Sequence, residues 1–386
     1  MPETRARVAV QACADYEAGH VERAVQAALD GLGGETPFVR PGQRVLLKPN
    51  LLSPRAPEEA VTTHPAVVLA VGRLCRAAGA TVWIGDSCAG DHPDETLWEK
   101  TGMRAVAAEL EAELKSCNGP VASRACGGTQ VPVPAWLSEV DVVISLAKLK
   151  THALTVMTCA LKNTYGLVCG SAKANYHASY PSPRTMSAFL IDVHLALRPS
   201  LTIVDAVVAM EGDGPAAGRP RQVGLILAGR DAAAVDTVCA DMFGTPAARI
   251  PILKAARDKA VGCTDRQAIE VVGDGGGRLA EVTLRPSIGR MLQHIPEPVF
   301  HAATRLLACR PRISSGLCVK CGVCERICSR KAIGRDEKRA RYRIDAAACI
   351  LCMCCAESCP RHAIVVRSPF NLLAAARRIV RRVVRA

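Results

Sequence analysis

Between residues 318 and 359 one cysteine spacing is written twice. "CVKCGVCERIC" places Cys318, Cys321, Cys324 and Cys328 in the order C-x2-C-x2-C-x3-C. "CILCMCCAESCP" places Cys349, Cys352, Cys355 and Cys359 in the same register, with Pro360 behind them, and leaves Cys354 outside it. A cubane iron–sulfur cluster needs four thiolates. A C-x2-C-x2-C loop wraps three irons of one cube, and the fourth cysteine of each string reaches the other cube. The spacing therefore predicts two 4Fe-4S clusters. Cys318, Cys321, Cys324 and Cys359 hold the first, and Cys349, Cys352, Cys355 and Cys328 the second. Zinc also takes four thiolates, but its sites usually come as two separated C-x2-C pairs without this crossed pattern.

Residues 316–365 closely resemble bacterial two-cluster 4Fe-4S ferredoxins, with Ser329 standing where that family usually has Pro. The resemblance implies single-electron transfer. The other cysteines, from Cys13 to Cys309, lack ligand spacing and read as small buried apolar residues. Cys159 and Cys169 differ in having lysines nearby, which predicts lowered thiol pKa values.

Charge separates this module from the rest. Residues 285–386 carry 21 Lys/Arg against 6 Asp/Glu, whereas residues 1–284 carry 28 against 30. With three Trp in 386 residues and no base-reading motif beside the charge, nucleic acid is an unlikely partner. The start "MPETRARVAVQAC" lacks the apolar core of a secretory signal, and no stretch is long and apolar enough to span a bilayer. The expected location is cytoplasmic, or peripheral at the inner membrane face. The tail "NLLAAARRIVRRVVRA" spaces apolar residues for a helix with Arg377, Arg378, Arg381, Arg382 and Arg385 opposite. Such a helix suits an anionic membrane surface or an acidic partner.

Before the cysteines, short apolar runs alternate with helical patterns, which predicts an α/β sheet with crossover helices. Strands are expected at 7–12, 43–47, 81–85, 141–146, 201–205 and 223–229. Helices are expected at 20–31, 65–78, 154–166, 187–197, 232–243 and 250–259. The domains so drawn are an α/β domain over 1–280, a linker with one short helix over 281–315, a small α+β ferredoxin-type domain over 316–366, and a basic amphipathic helix over 367–386.

Ligands of open α/β sheets bind beyond the carboxyl ends of the strands. Those ends carry Lys48 and Asn50, Asp86, then Lys148, Lys150 and His152, then Asp205 and Asp231. Lys162, Lys173 and His177 extend a segment with no acid from 142 to 191. A cationic rim suits a carboxylate or phosphate. Glu211 and Asp213 in "MEGDGPAAGRP" read either as a plain turn or as a carboxylate pair facing the lysines.

The strings "KPNLL", "TTHPAVV", "GDS", "KLKTHALTVMTCALKNTYGLV", "VDAVVAMEGDGP" and "AGRDAAAVDTV" resemble the domain-of-unknown-function 362 family over roughly 40–245. Its members often carry a ferredoxin-like tail. The resemblance implies an α/β domain tied to iron–sulfur electrons and brings no catalytic residue with it.

Two functions are expected. In the first, an iron–sulfur oxidoreductase of reductase type binds a small anionic substrate through Lys48, Asn50, Lys162 and Lys173. Lys148, Lys150, His152, Asp86 and Asp205 carry its chemistry, and a redox partner protein supplies electrons. In the second, a non-enzymatic electron carrier or cluster-assembly factor uses the α/β domain to recognise a partner protein.

Overall fold

Strand alternation builds the centre of this protein. A computed structural model describes residues 5–33, 38–89, 92–152, 154–169, 172–180, 182–287, 310–336, 341–349 and 353–367. The strands before the cysteines are β1 (Ala6–Ala12), β2 (Arg44–Pro49), β3 (Thr81–Gly85), β4 (Glu113–Lys115), β5 (Val121–Cys126), β6 (Thr129–Pro134), β7 (Val142–His152), β8 (Val156–Thr158), β9 (Leu201–Glu211), β10 (Arg219–Gly229) and β11 (Ile269–Val272). The main sheet runs β11-β1-β10-β9-β7-β2-β3-β4, with β8 paired to β7. Its centre, β9-β7-β2-β3, is parallel, while β10 runs antiparallel to both its neighbours. A separate hairpin joins β5 to β6.

Helices cover both faces. On one side α1 (Ala18–Gly31), α2 (Pro65–Ala77), α3 (Asp94–Lys100) and α4 (Met103–Leu110) pack on Val45, Leu47, Ile144, Leu146 and Ile203. The other side holds α5 (Ala160–Asn163), α6 (Ala172–Ser179), α7 (Pro183–Leu197), α8 (Ala232–Ala240) and α9 (Pro251–Asp258), over Leu46, Ala147, Leu149 and Val204. Successive strand residues thus feed opposite cores, as the pleat requires. Pro65 opens α2, where a missing amide hydrogen costs nothing.

The expected strands are present, and β7, β9 and β10 are longer than expected. The helix expected over 154–166 is not formed. Instead β8 folds back against the end of β7, and α5 begins only at Ala160. His152 Nδ1 accepts from the amides of Leu154 (3.0 Å) and Thr155 (3.2 Å), and Val156 has φ 72, so a reversal interrupts the apolar spacing that resembled a helix.

After α10 (Gly276–Glu281), Val282 and Leu284 remain in the core of the α/β domain, which therefore runs beyond residue 280. The C-terminal module begins with β12 (Arg310–Ile313), within the expected linker, and continues with α11 (Val323–Ile327), β13 (Ile333–Asp336), β14 (Arg341–Ile344), α12 (Cys354–Glu357) and β15 (Ile364–Arg367). β12 pairs with β15 and β13 with β14, both antiparallel. The linker helix and, beyond Arg367, the basic C-terminal helix fall outside the described residues.

Candidate functional site

The strand ends do gather the predicted residues, but not as an open cationic rim. Lys48 follows Leu46 on one face of β2, while Lys148 and Lys150 follow Leu146 on the opposite face of β7. They occupy positions where apolar side chains would point into the two cores, and all three are at most 1% exposed. A buried ammonium is tolerated only when paired and hydrogen-bonded. Lys48 and Lys148 are both paired with a carboxylate and hydrogen-bonded, and Lys150 is hydrogen-bonded to neutral acceptors.

Lys48 Nζ lies 2.7 Å from Asp86 Oδ1 and donates to the carbonyl of Pro49 (2.7 Å) and to Asn163 Oδ1 (3.2 Å). The other Asp86 oxygen accepts from the amide of Leu51 (2.6 Å). Gly166 lies against this pair: a Cβ there would sit 2.0 Å from Asp86 Oδ1 and 2.5 Å from Lys48 Nζ, so the position admits no side chain. Burial pulls the Lys48 pKa down, and Asp86 opposes that shift.

On the other face Lys148 Nζ donates to Asp205 Oδ2 (2.8 Å) and to Tyr16 Oη (2.8 Å). Tyr16 Oη donates in turn to Asp205 Oδ1 (2.7 Å), and the amide of His64 donates to Asp205 Oδ2 (2.9 Å). The Tyr16 and His64 rings stack, with centroids 3.6 Å apart and planes 7° from parallel. Burial lowers the Lys148 pKa against the pull of Asp205, and burial next to Asp205 raises that of Tyr16. Burial also lowers the pKa of His64 to about 4, so its ring is neutral at pH 7. Lys150 Nζ donates to Asn50 Oδ1 (2.8 Å) and to the carbonyl of Val61 (2.7 Å).

Other expected site residues have structural roles. His152 is buried, its pKa is well below the ordinary value, and Nδ1 is occupied by the turn that follows. Lys173 donates to the carbonyl and hydroxyl of Ser87 (2.6 and 2.5 Å). Lys162 is half-buried on α5. Glu211 faces Arg285 (3.4 Å) and accepts from its amide, and Asp213 is exposed. Asp231 caps α8. Cys159 and Cys169 are buried: burial outweighs Lys173 and pushes Cys169 up to about 11, and burial with Cys239 and Asp236 pushes Cys159 well above the ordinary thiol value. Tyr16, His64 and Asn163 were not among the expected residues. His64, inside "TTHPAVV", and Asn163, inside "KLKTHALTVMTCALKNTYGLV", carried a signal that could have found them; Tyr16 did not.

In the C-terminal module, Cys318, Cys321, Cys324 and Cys359 line one cavity, three from the first string and one from the second. Ile313, Val323, Ala363 and Ile364 supply apolar wall. Burial and the neighbouring Cys359, Cys318 and Cys321 push Cys324 up to about 11, so a metal taking this thiol as ligand would have to drive its deprotonation. Cys328 and Cys355 share the module's core, Cys349 is half-buried, and Cys352 is outside the described residues. The amide of Ala363 donates to Cys359 Sγ and that of Ala332 to Cys328 Sγ, both at 3.2 Å, hydrogen bonds that favour thiolate sulfur. Among the described residues, no three His, Cys, Asp or Glu converge closely enough for a single metal ion. Cys354, the spare, packs with Ile327 against Ala174 of α6.

The module also meets the loop after β2. Arg55, 8% exposed, donates from Nη2 to the carbonyl of Cys359 (3.0 Å) and pairs through Nη1 with Glu59 (3.2 Å). Arg55 too was missed in the sequence.

Comparison with known proteins gives consistent results. A 4Fe-4S dicluster domain matches residues 317–363 and supports an iron–sulfur electron-transfer role. The thylakoid-associated protein sll1697 of Synechocystis sp. is 36% identical over 242 residues, covering 62% of this chain and 75% of that protein. Among solved structures, the lactate racemase apoprotein from Thermoanaerobacterium thermosaccharolyticum aligns with a TM-score of 0.39 and 11% identity over 60% of this chain and 55% of its own. A Thermotoga maritima protein aligns with a TM-score of 0.34 and 12% identity over 53% of each. The chain thus spans little more than half of either solved structure. Residues 45–241 match the family described as domain of unknown function (DUF362), and the chain belongs to that family.

Proposed function

We propose that this protein passes single electrons from two 4Fe-4S clusters into its α/β domain, where they reduce a small anionic substrate beyond the carboxyl ends of β2, β3 and β7. The observation that carries this reading is the hydrogen bond from Arg55 to the carbonyl of Cys359. It ties a cluster ligand to the loop whose earlier residues, Asn50 and Leu51, bind Lys150 and Asp86. When bound, the clusters supply one-electron transfer, the first through Cys318, Cys321, Cys324 and Cys359 and the second through Cys349, Cys352, Cys355 and Cys328.

Reduction also consumes protons. The Lys148–Asp205–Tyr16 network holds a proton on Lys148 under a lowered pKa, and half-buried His64 covers it. In this reading the Tyr16 hydroxyl turns from Asp205 to the substrate and gives up its proton as Lys148 replaces it, Asp205 stabilises the ammonium before transfer, and Lys162 at the same edge faces the substrate's negative charge.

A second reading draws on the closure of Lys48, Lys148 and Lys150 by internal partners. It makes the chain a non-enzymatic carrier or assembly factor whose α/β domain recognises a protein. To separate the two, anaerobic cluster-loaded protein is reduced and then mixed with a panel of small carboxylates and phosphates. An enzyme reoxidises with one of them, and K148M slows that reoxidation. If no compound accelerates it beyond buffer, the carrier reading stands.

No described helix is long and apolar enough to cross a membrane. The relative's name speaks of thylakoid association. We carry this over as a peripheral contact through the basic C-terminal segment, tested by flotation with anionic vesicles.

A further inference from the structure

The cluster-bearing module has a concave face of one charge. A cavity of about 790 Å³ is lined by Arg312, Lys320, Arg341 and Arg343, and no Asp or Glu is among its described lining residues. Arg341 and Arg343 project from the same side of β14, because strand residues alternate. Arg343 also lies 3.5 Å from Asp336 on β13, while Arg312, Lys320 and Arg341 are exposed. Across the described residues 310–367 there are 11 Lys/Arg and 4 Asp/Glu, so the positive sign extends well beyond this cavity.

Two further observations turn a charged face into an electron port. Cys318 and Cys349, one from each cysteine string, both reach this cavity. The chain neighbours of Cys318, Leu317 and Val319, are 47% and 58% exposed; they are not among the described residues lining this cavity, but they put exposed apolar surface next to it in the chain. Charges of one sign beside exposed apolar side chains suit a transient docking site: the charges steer the encounter, and the apolar contact excludes water.

We propose that this face docks an acidic electron-carrier protein, which exchanges one electron at a time with the clusters at their Cys318 and Cys349 sides. Each transfer leaves the carrier one electron more oxidised and the module one electron more reduced, or the reverse. A protein fits better than a lipid surface because the charges line a concavity. Tyr342 is the one aromatic among its described lining residues, which disfavours single-stranded nucleic acid. The inference rests on the module carrying electrons, as proposed above, but not on any substrate of the α/β domain.

The test uses the full chain, cluster-loaded and anaerobic, with a reduced acidic flavodoxin as probe. Stopped-flow bleaching gives the second-order rate, and anisotropy of labelled flavodoxin gives the affinity. Both should fall about tenfold or more as salt rises, and by a similar factor in R312E/R341E, because electrostatic steering contributes on this scale. R330E, at an exposed arginine outside the face, should stay within about twofold. Equal losses in R330E and R312E/R341E, or salt-independent rates, would overturn the proposal. So would binding to anionic phospholipid vesicles that R312E/R341E abolishes while flavodoxin rates hold. If the double variant fails to retain iron, the neutral single variants R312Q and R341Q must each show a partial loss, and their equality with wild type refutes the docking face. The failure of small-molecule reoxidation described earlier would leave these outcomes unaffected.

Discussion

Arg55 and Cys359 join the two halves of this protein: the guanidinium donates to the cysteine carbonyl over 3.0 Å from a buried position. A cation held there stabilises the more negative, reduced form of a cluster bound by that cysteine, and Glu59 at 3.2 Å offsets part of the effect. R55Q should therefore lower one of two midpoint potentials by about 30–60 mV, equivalent to a three- to tenfold change at about 59 mV per decade. E59Q should raise the same midpoint. Redox titration followed by electron paramagnetic resonance reads both. Two unmoved midpoints would show that the contact only holds the module in place.

Lys148 and Asp205 are unequal partners. Without Lys148, Asp205 still accepts from Tyr16 and from the amide of His64. Without the Asp205 carboxylate, Lys148 keeps only the Tyr16 oxygen and sits uncompensated in the core. D205N should cost about 3–5 kcal/mol, the range for breaking a buried pair, and K148M distinctly less. Urea unfolding of the two variants checks the order, and an inverted ranking would mean that the ammonium finds another acceptor.

Asp236 gives the α/β domain a pH signature. It is buried and accepts from the amides of Ala160 (2.7 Å) and Leu161 (3.1 Å), yet desolvation prevails and pushes its pKa up to about 7 from 3.8. The folded state then holds a proton that the unfolded chain has released. This contribution is complete below the unfolded value and is lost as pH rises towards about 7. The cost of D236N should accordingly be greatest near pH 4–5 and shrink by about 1–4 kcal/mol by pH 8, at about 1.4 kcal/mol per pKa unit. Denaturant curves at both pH values, under anaerobic conditions, measure the difference. A constant cost would place the Asp236 pKa in the ordinary carboxyl range.

The cysteines permit a direct comparison. Cys354 packs between Ile327 and Ala174, outside the ligand register, whereas Cys359 lines the cavity shared with Cys318, Cys321 and Cys324. C354A should retain the full iron and sulfide content with some loss of stability, about 1 kcal/mol for a small buried side chain. C359S should lose iron and alter the spectrum of one cluster only. Iron and sulfide assays with spectra report both. Iron loss in C354A would make Cys354 a ligand and shift the register of the second string.

Much of the fold was legible because its cause is local. Strand and helix periods, Pro65 at a helix start and the cysteine spacings all act within a few residues. The region 154–166 shows the limit of that reading: its apolar spacing suits a helix, but pairing of β8 with β7 and the turn capped by His152 override it.

The candidate site followed the same division. That Lys48, Asp86, Lys148, Lys150 and Asp205 meet at strand ends was readable, because an α/β sheet places carboxyl ends on one edge. That the lysines are buried and closed by internal partners was not, because those partners are remote: Tyr16 is 132 residues from Lys148, and Asn163 is 115 from Lys48. Sequence by itself determined the cysteine spacing of a dicluster domain and the class of the sheet, since coordination loops and pleats are short-range geometry. Only the tertiary structure decided whether each charge faces water or another charge, because desolvation and pairing depend on which distant segments pack together.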